Sequence, residues 1–273
     1  MADPIRLRQI CLIVPALEPV IDELMLVLGL KVCYGKADLS RYGVPYMPPP
    51  AHQAAFFQQH GLASALLPIG DTFLELVCPT RADTPATRFL ERRGSGGYMV
   101  ITEVGATEPF RDRIAKQGVR LAGTVDYPTY NELQVDPRDI GASMLSFSVQ
   151  KEGKPFDGGW YPAGASWRER AAPGFTAIRR AEISARDPGK IAAAWSALIG
   201  RPVSIDGAAH VIGLDRSEIR FVPSVDGQDR LTAVDVEMAD FAAALERARG
   251  QGVADGPDIV IGGIAIREEK PWG

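Results

Sequence analysis

The chain has 273 residues, 46% hydrophobic and 23% charged, the balance of an ordinary soluble globular protein and long enough for one large domain or two smaller ones. Thirty basic against 34 acidic residues leave a net charge of −4, which argues against nucleic acid or an anionic membrane as partner, since both reward a basic face. No apolar stretch reaches the roughly 18 residues of a spanning helix, and the opening MADPIRLRQICLIVP lacks the basic-then-apolar pattern of a signal peptide, so a cytoplasmic location is expected.

An apolar strand over residues 7–14 ends at Pro15. A helix over 19–28 follows, with Val20, Ile21, Leu24, Val27 and Leu28 at helical spacing, Pro19 in its first turn and Gly29 as its stop. A strand near 30–34 comes next. Two more, over 63–69 and 72–78, are joined by the hairpin signal Gly70-Asp71. Between them, residues 35–61 form a long loop holding Tyr42, Tyr46, His52, Phe56, Phe57 and His60. A loop of this length either closes over an apolar ligand, with Tyr46 and His52 as candidate substrate contacts, or packs on its own sheet or a partner chain. A helix over 84–93 leads to a second unit: strand 98–104, helix 108–117 stopped by Gly118, then strands 120–124, 131–135 and 143–149. Residues 151–174, rich in Gly, Pro and Trp, read as a linker whose GGWYPAGASW aromatics anchor it to the core.

The order then recurs. At a constant offset Gln9 matches Arg180, Val20 matches Ile191, Leu24 matches Trp195, Leu28 matches Ile199, Gly29 matches Gly200 and Val32 matches Val203. A fourth unit opens at Leu231, with a strand over 232–237 and a helix over 241–249. Repetition of one supersecondary unit outranks any single residue as evidence for a fold. The expectation is an α+β protein of four βαβββ modules, divided as residues 1–150, a linker 151–175 and a shorter second domain 176–273. Cys11, Cys33 and Cys78 are odd in number and lack CxxC spacing, so they read as reduced thiols.

The segments RQICLIVPALEP, DTFLELVCP, GGYMVITEV and DPRDIGASMLSFS look like the opening and closing strands of vicinal-oxygen-chelate modules. The chain thus resembles the superfamily of glyoxalase I, methylmalonyl-CoA epimerase, fosfomycin and bleomycin resistance proteins and extradiol dioxygenases. The resemblance implies two glyoxalase-like domains whose curved mixed sheets enclose a cup. Its four metal-ligand positions fall here on Gln9, Glu75, Met99 and Ser146. A thioether and a neutral hydroxyl are poor ligands for a hard or borderline divalent ion, so no cofactor is expected. In the second half the equivalent positions are Arg180 and Ile219 or Arg220, and the fourth module opens at Leu231; His52, His60 and His210 show no paired spacing.

Strand alternation places Gln9, Cys11 and Ile13 on one face, and Phe73, Glu75 and Val77 on one face. If these line the cup, Glu75 is a carboxylate among apolar neighbours with its pKa raised toward that of a general base. Gln9, Ser146 and Tyr98 would orient a carbonyl or stabilise an enolate oxygen, beside Met99, although Tyr98 has the opposite parity to Met99. Arg180 is expected on the outer face, paired with an acid. The favoured function is a metal-poor enzyme of small-molecule catabolism, an isomerase, epimerase or lyase abstracting a proton from a carbonyl or thioester compound, with Glu75 as base. A non-catalytic protein sequestering an apolar or aromatic molecule, and a degenerate extradiol-dioxygenase-like protein, are the alternatives. A homodimer is a possible assembly.

Overall fold

The structure is a computed structural model that describes residues 3–46, 61–153 and 156–269. Its first half starts with strand β1 (Ile5–Ile13) and helix α1 (Leu17–Leu28). Leu17, Ile21, Leu24, Val27 and Leu28 form the buried stripe of α1, and Gly29 ends it in the left-handed conformation, φ 69°, that a residue without Cβ adopts at no steric cost. The strand expected near 30–34 is only the pair Tyr34–Gly35 (β2). Strands β3 (Leu62–Ile69) and β4 (Thr72–Pro79) close the module as a hairpin. Helix α2 (Pro85–Arg93), whose first turn is capped by the Thr84 hydroxyl accepting from the Thr87 amide, connects to the second module. That module comprises β5 (Gly96–Val104), α3 (Glu108–Lys116), β6 (Leu121–Asp126), β7 (Tyr130–Val135), the short helix α4 (Pro137–Ile140) and β8 (Met144–Gln150).

The second half repeats this layout with β9 (Phe175–Ala185), α5 (Pro188–Ile199), β10 (Val203–Asp206), β11 (Ala209–Leu214) and β12 (Ser217–Pro223). Its last module is β13 (Arg230–Met238), α6 (Phe241–Gln251), β14 (Ala254–Asp255), β15 (Asp258–Ile261) and β16 (Ile264–Glu268). Each half is one eight-stranded mixed sheet, ordered β2-β3-β4-β1-β5-β8-β7-β6 and β10-β11-β12-β9-β13-β16-β15-β14. The two orders correspond strand for strand, and in each the two modules meet where their first strands run antiparallel. This is the α+β, four-module architecture that the repeats in the sequence imply.

The helix-facing sides of both sheets join one hydrophobic core. Ile10, Leu12 and Leu74 of the first half share it with Ile183, Phe221 and Ile266 of the second, and Trp195 fills its interior against Phe221. Sheets that bury one face against helices leave the other face free to curve around something else. In the first half that other face carries a separate cluster, built from Cys11, Ile13, Phe73, Val77, Met99 and Ile101 with Tyr130, Trp160 and Trp167. Among the described residues no helix is long and apolar enough to cross a membrane.

Candidate functional site

The register of β1 on β4 puts Gln9 beside Phe73 and Cys11 beside Glu75, so the alternation read from the sequence holds and these side chains share the concave face. Gln9 is buried, and its Nε2 donates to Glu75 Oε2 at 2.8 Å. Its Oε1 accepts from Trp160 Nε1 at 2.7 Å. An indole N–H only donates, which fixes the amide oxygen toward Trp160 and the amide nitrogen toward the carboxylate. Trp160 comes from the segment expected to be a linker. That segment does anchor to the core, but it does so inside the cup. Trp160 stacks near-parallel to Phe73, with centroids 6.5 Å apart, and Trp167 meets the same Phe73 ring edge-on at 5.0 Å.

The fixation of this wall depends on Arg8, a residue that strand parity assigns to the opposite face. Between β1 and β5 the pairing steps from Leu7–Thr102 to Gln9–Ile101, leaving Arg8 as the extra residue of a bulge. Its fully buried guanidinium sits 5.1 Å from the Phe73 ring centroid and 5.3 Å from that of Trp160, and donates to the carbonyls of Asp71 and Gly158. Burial pushes Arg8 down to about 10, and the neighbouring Glu103 opposes that shift.

A second bulge corrects the parity of Tyr98. Pairing steps from Cys11–Met99 to Leu12–Gly97, so Tyr98 is the surplus residue and packs against the cup cluster together with Met99. Ser146 is brought to the cup floor, but not to Glu75. Its hydroxyl lies 2.5 Å from Glu132 Oε1 and 3.0 Å from the Ser148 hydroxyl. Tyr46 is 59% exposed and belongs to neither cluster. His52 lies outside the described residues.

Two further charged residues of the cup, besides Arg8, escaped the sequence reading. Glu132 on β7 is buried, and burial raises its carboxyl above the usual range against hydrogen bonds led by Ser146. Lys36, just after β2, is pushed down to about 8 by burial, with Glu75 and then Glu132 pulling it back up. Burial likewise lifts Glu75 to about 7; Lys36 opposes that rise, Glu132 adds to it, and the hydrogen bonds from Cys11 and Gln9 oppose it. Cys11 is held firmly as a thiol, by burial first and by the Glu75 charge second. The alternating Tyr130, Glu132 and Gln134 of β7 are the one sequence signal that Glu132 faces a shared surface. Nothing local in the sequence marks Lys36.

The four positions implied as metal ligands do not fit a divalent ion. Gln9 is engaged at both ends of its amide, Ser146 is directed to Glu132, and Met99 is buried in the apolar cluster. Among the described residues no group of three His, Cys, Asp or Glu side chains forms a metal-holding cluster.

The second half carries different chemistry on the matching face. Arg180 pairs with Glu218 and Asp235, and lies 3.7 Å from Glu269. By register it occupies the face equivalent to that of Gln9, opposite the helices, which corrects the expectation of an outer position. Arg220, opposite Glu182, takes the place that Glu75 holds in the first half, and it pairs with Asp206 at 2.8 Å. Ion pairs therefore occupy this face where aromatic rings occupy the first.

The whole chain resembles a solved hypothetical protein from Staphylococcus aureus, with a TM-score of 0.65 at 13% identity over 97% of this chain and 99% of that one. That likeness is one of fold. A hypothetical protein from Bacillus halodurans and the methylmalonyl-CoA epimerase of Streptomyces coelicolor each match 55% of this chain and 96% of their own, at a TM-score of 0.43, with 20% and 16% identity. No family model and no curated sequence matches the chain.

Proposed function

We propose that the first-half cup is the active site of an enzyme that abstracts a proton from carbon next to a carbonyl or thioester group, as an isomerase, an epimerase or a lyase, with Glu75 as the base. The observation that carries this reading is the carboxyl of Glu75, lifted to about 7 within an aromatic and apolar wall and oriented by Gln9. A base works best when its pKa lies near the working pH, because it is then both ionised and basic. Proton removal places negative charge on the substrate oxygen. Lys36, whose charge acts on both carboxylates, is the cation suited to stabilise it. Glu132, which burial biases toward the neutral acid, is the group that would return a proton. Trp167 Nε1, buried with no hydrogen-bond partner among the described residues, is a donor left over for the substrate.

A second reading, non-catalytic sequestration of an apolar or aromatic molecule, is favoured by the closed network Trp160–Gln9–Glu75, which is satisfied without any ligand. The two readings separate in one experiment. Compounds recovered from the purified protein by mass spectrometry, together with a panel of simple thioesters and ketones, are incubated with it in deuterated water. The enzyme reading expects deuterium at the carbon next to the carbonyl, and a loss of about 10²–10⁴-fold in Glu75→Gln, the usual scale of general-base catalysis. A ligand recovered intact and unlabelled, or exchange that persists in Glu75→Gln, overturns it.

A further inference from the structure

Outside the cup lies a cleft of about 730 Å³ between α2, α4 and the loop at Asp229, which brings the second half to its rim. Among the described residues its lining includes Arg88, Arg92, Arg93 and Arg138 but only two carboxylates, Asp136 and Asp229. Both carboxylates are already neutralised. Asp136 is held by Arg138 at 2.5 Å, and Asp229 by Arg186 at 2.8 Å. Arg88, Arg92 and Arg93 have no ion-pair partner among the described residues, although all three stand together on one helix. The helix dipole accounts for Arg92 and Arg93 in the last turn, but not for Arg88 one turn earlier, where a like charge at i, i+4 opposes helix formation.

The three guanidiniums are steadied by hydrogen bonds to backbone oxygens, and Arg93 also feels the charge of Asp229. Arg88 Nη1 donates to the Asp83 carbonyl at 3.2 Å, Arg92 Nε to the Arg88 carbonyl at 3.0 Å, and Arg93 Nη1 to the Asp229 carbonyl at 3.0 Å. Each keeps further N–H donors, and a guanidinium presents them in the fork that matches an oxyanion. Apolar surface lies alongside. Phe89 meets Tyr98 edge-on at 5.4 Å, Arg93 lies 5.6 Å from the Phe89 ring centroid, and Met144 completes the wall. Phe89, Tyr98 and Met144 also pack against the cup cluster, so cleft and cup share a wall.

We propose that this cleft is a binding site for the multiply charged oxyanion of a small organic molecule, a phosphate ester or a polycarboxylate, with its carbon skeleton laid against Phe89 and Tyr98. The site is independent of Glu75 and stands whether or not the cup is catalytic.

Calorimetric titration with phenyl phosphate, inorganic pyrophosphate and tricarballylate tests it at matched ionic strength. At least one of the three binds with a simple isotherm, and which of them binds tightest tells phosphate from carboxylate. Arg88→Gln/Arg92→Gln weakens that affinity at least tenfold, added salt weakens it in the parent protein, and Glu75→Gln leaves it unchanged. Both arginines are exposed, so the double variant is expected to keep the parent's unfolding midpoint. As a readout that needs no variant, amide resonances of residues 88–93, 98 and 141–144 shift together on titration. Absence of binding by all three anions, affinity unaffected by the double substitution, or shifts located elsewhere overturns the proposal.

Discussion

Three titrating side chains govern the proposed chemistry, and Lys36 and Glu132 act on Glu75 with opposite signs. Burial raises Glu75 to about 7, Lys36 lowers it and Glu132 raises it further. On that basis the rate in the wild type climbs with pH as Glu75 ionises. Lys36→Met removes the cation that favours the carboxylate, so the acidic limb of the pH profile moves to higher pH. Glu132→Gln removes the charge that Glu132 adds whenever it ionises, and the same limb moves lower. A profile that stays in place in both variants would show that Glu75 is not the group being titrated. The same shift has a stability consequence. The folded-state value lies above the ordinary 4.5 of a glutamate, so the native state favours the neutral acid. The stability Glu75 contributes in this way is complete below about 4.5 and is lost as pH rises through about 7. Urea unfolding from about pH 5 to 8 is therefore expected to show the parent protein losing stability relative to Glu75→Gln as pH increases.

At the scale of elements, the site depends on two bulges and one connecting segment, and these mark where the sequence stops being legible. Helical and strand periods, and the glycine stops at Gly29 and Gly200, are local properties, so the modules and their repeat can be read directly from the residues. Gln9 and Glu75 follow for the same reason, since simple alternation sets their faces. Alternation fails at Arg8 and Tyr98 because a bulge inserts one residue against none, and a pattern of period two carries no record of it. Lys36 and Trp160 reach the cup through tertiary closure, Trp160 from 151 positions along the chain from Gln9. Trp160→Phe isolates that long-range step, because it keeps the ring against Phe73 but removes the indole donor. Gln9 Oε1 is then buried without its partner, an arrangement that costs about 1–3 kcal/mol. Gln9 also loses the contact that fixes its amide. A lower urea midpoint accompanied by weakened turnover is the expected result, and a variant indistinguishable from the parent in both would show that the connecting segment only covers the cup.

For the whole molecule, the two halves repeat one scaffold while their concave faces carry different chemistry. Gln9 and Glu75 on one side correspond to Arg180 and Arg220 on the other, so one face carries an oriented carboxylate where the other carries paired charges. The halves nevertheless share a single apolar core, and their backbones touch at the β3–β4 hairpin. The Asp71 amide donates to the Thr176 carbonyl at 3.1 Å, and the Ile178 amide to the Thr72 hydroxyl at 2.7 Å. Gly70 makes that approach feasible. It has φ 60°, and a Cβ there would stand 1.7 Å from the Thr176 oxygen, which is backbone and has no rotamer by which to yield. Gly70→Ala must therefore pull the hairpin away from β9 or distort the turn, and either response breaks hydrogen bonds joining the halves. A loss of more than about 1 kcal/mol is expected, beyond the modest cost of the left-handed conformation alone. Because the core is common, the loss should appear in one cooperative transition followed alike by Trp160 and Trp167, packed into the first-half cup, and by Trp195 of the second half. Single-tryptophan variants monitored by fluorescence during urea unfolding would report this. Transitions that separate in the parent protein would mean that the halves fold as independent units and that the contact at Gly70 only tethers them.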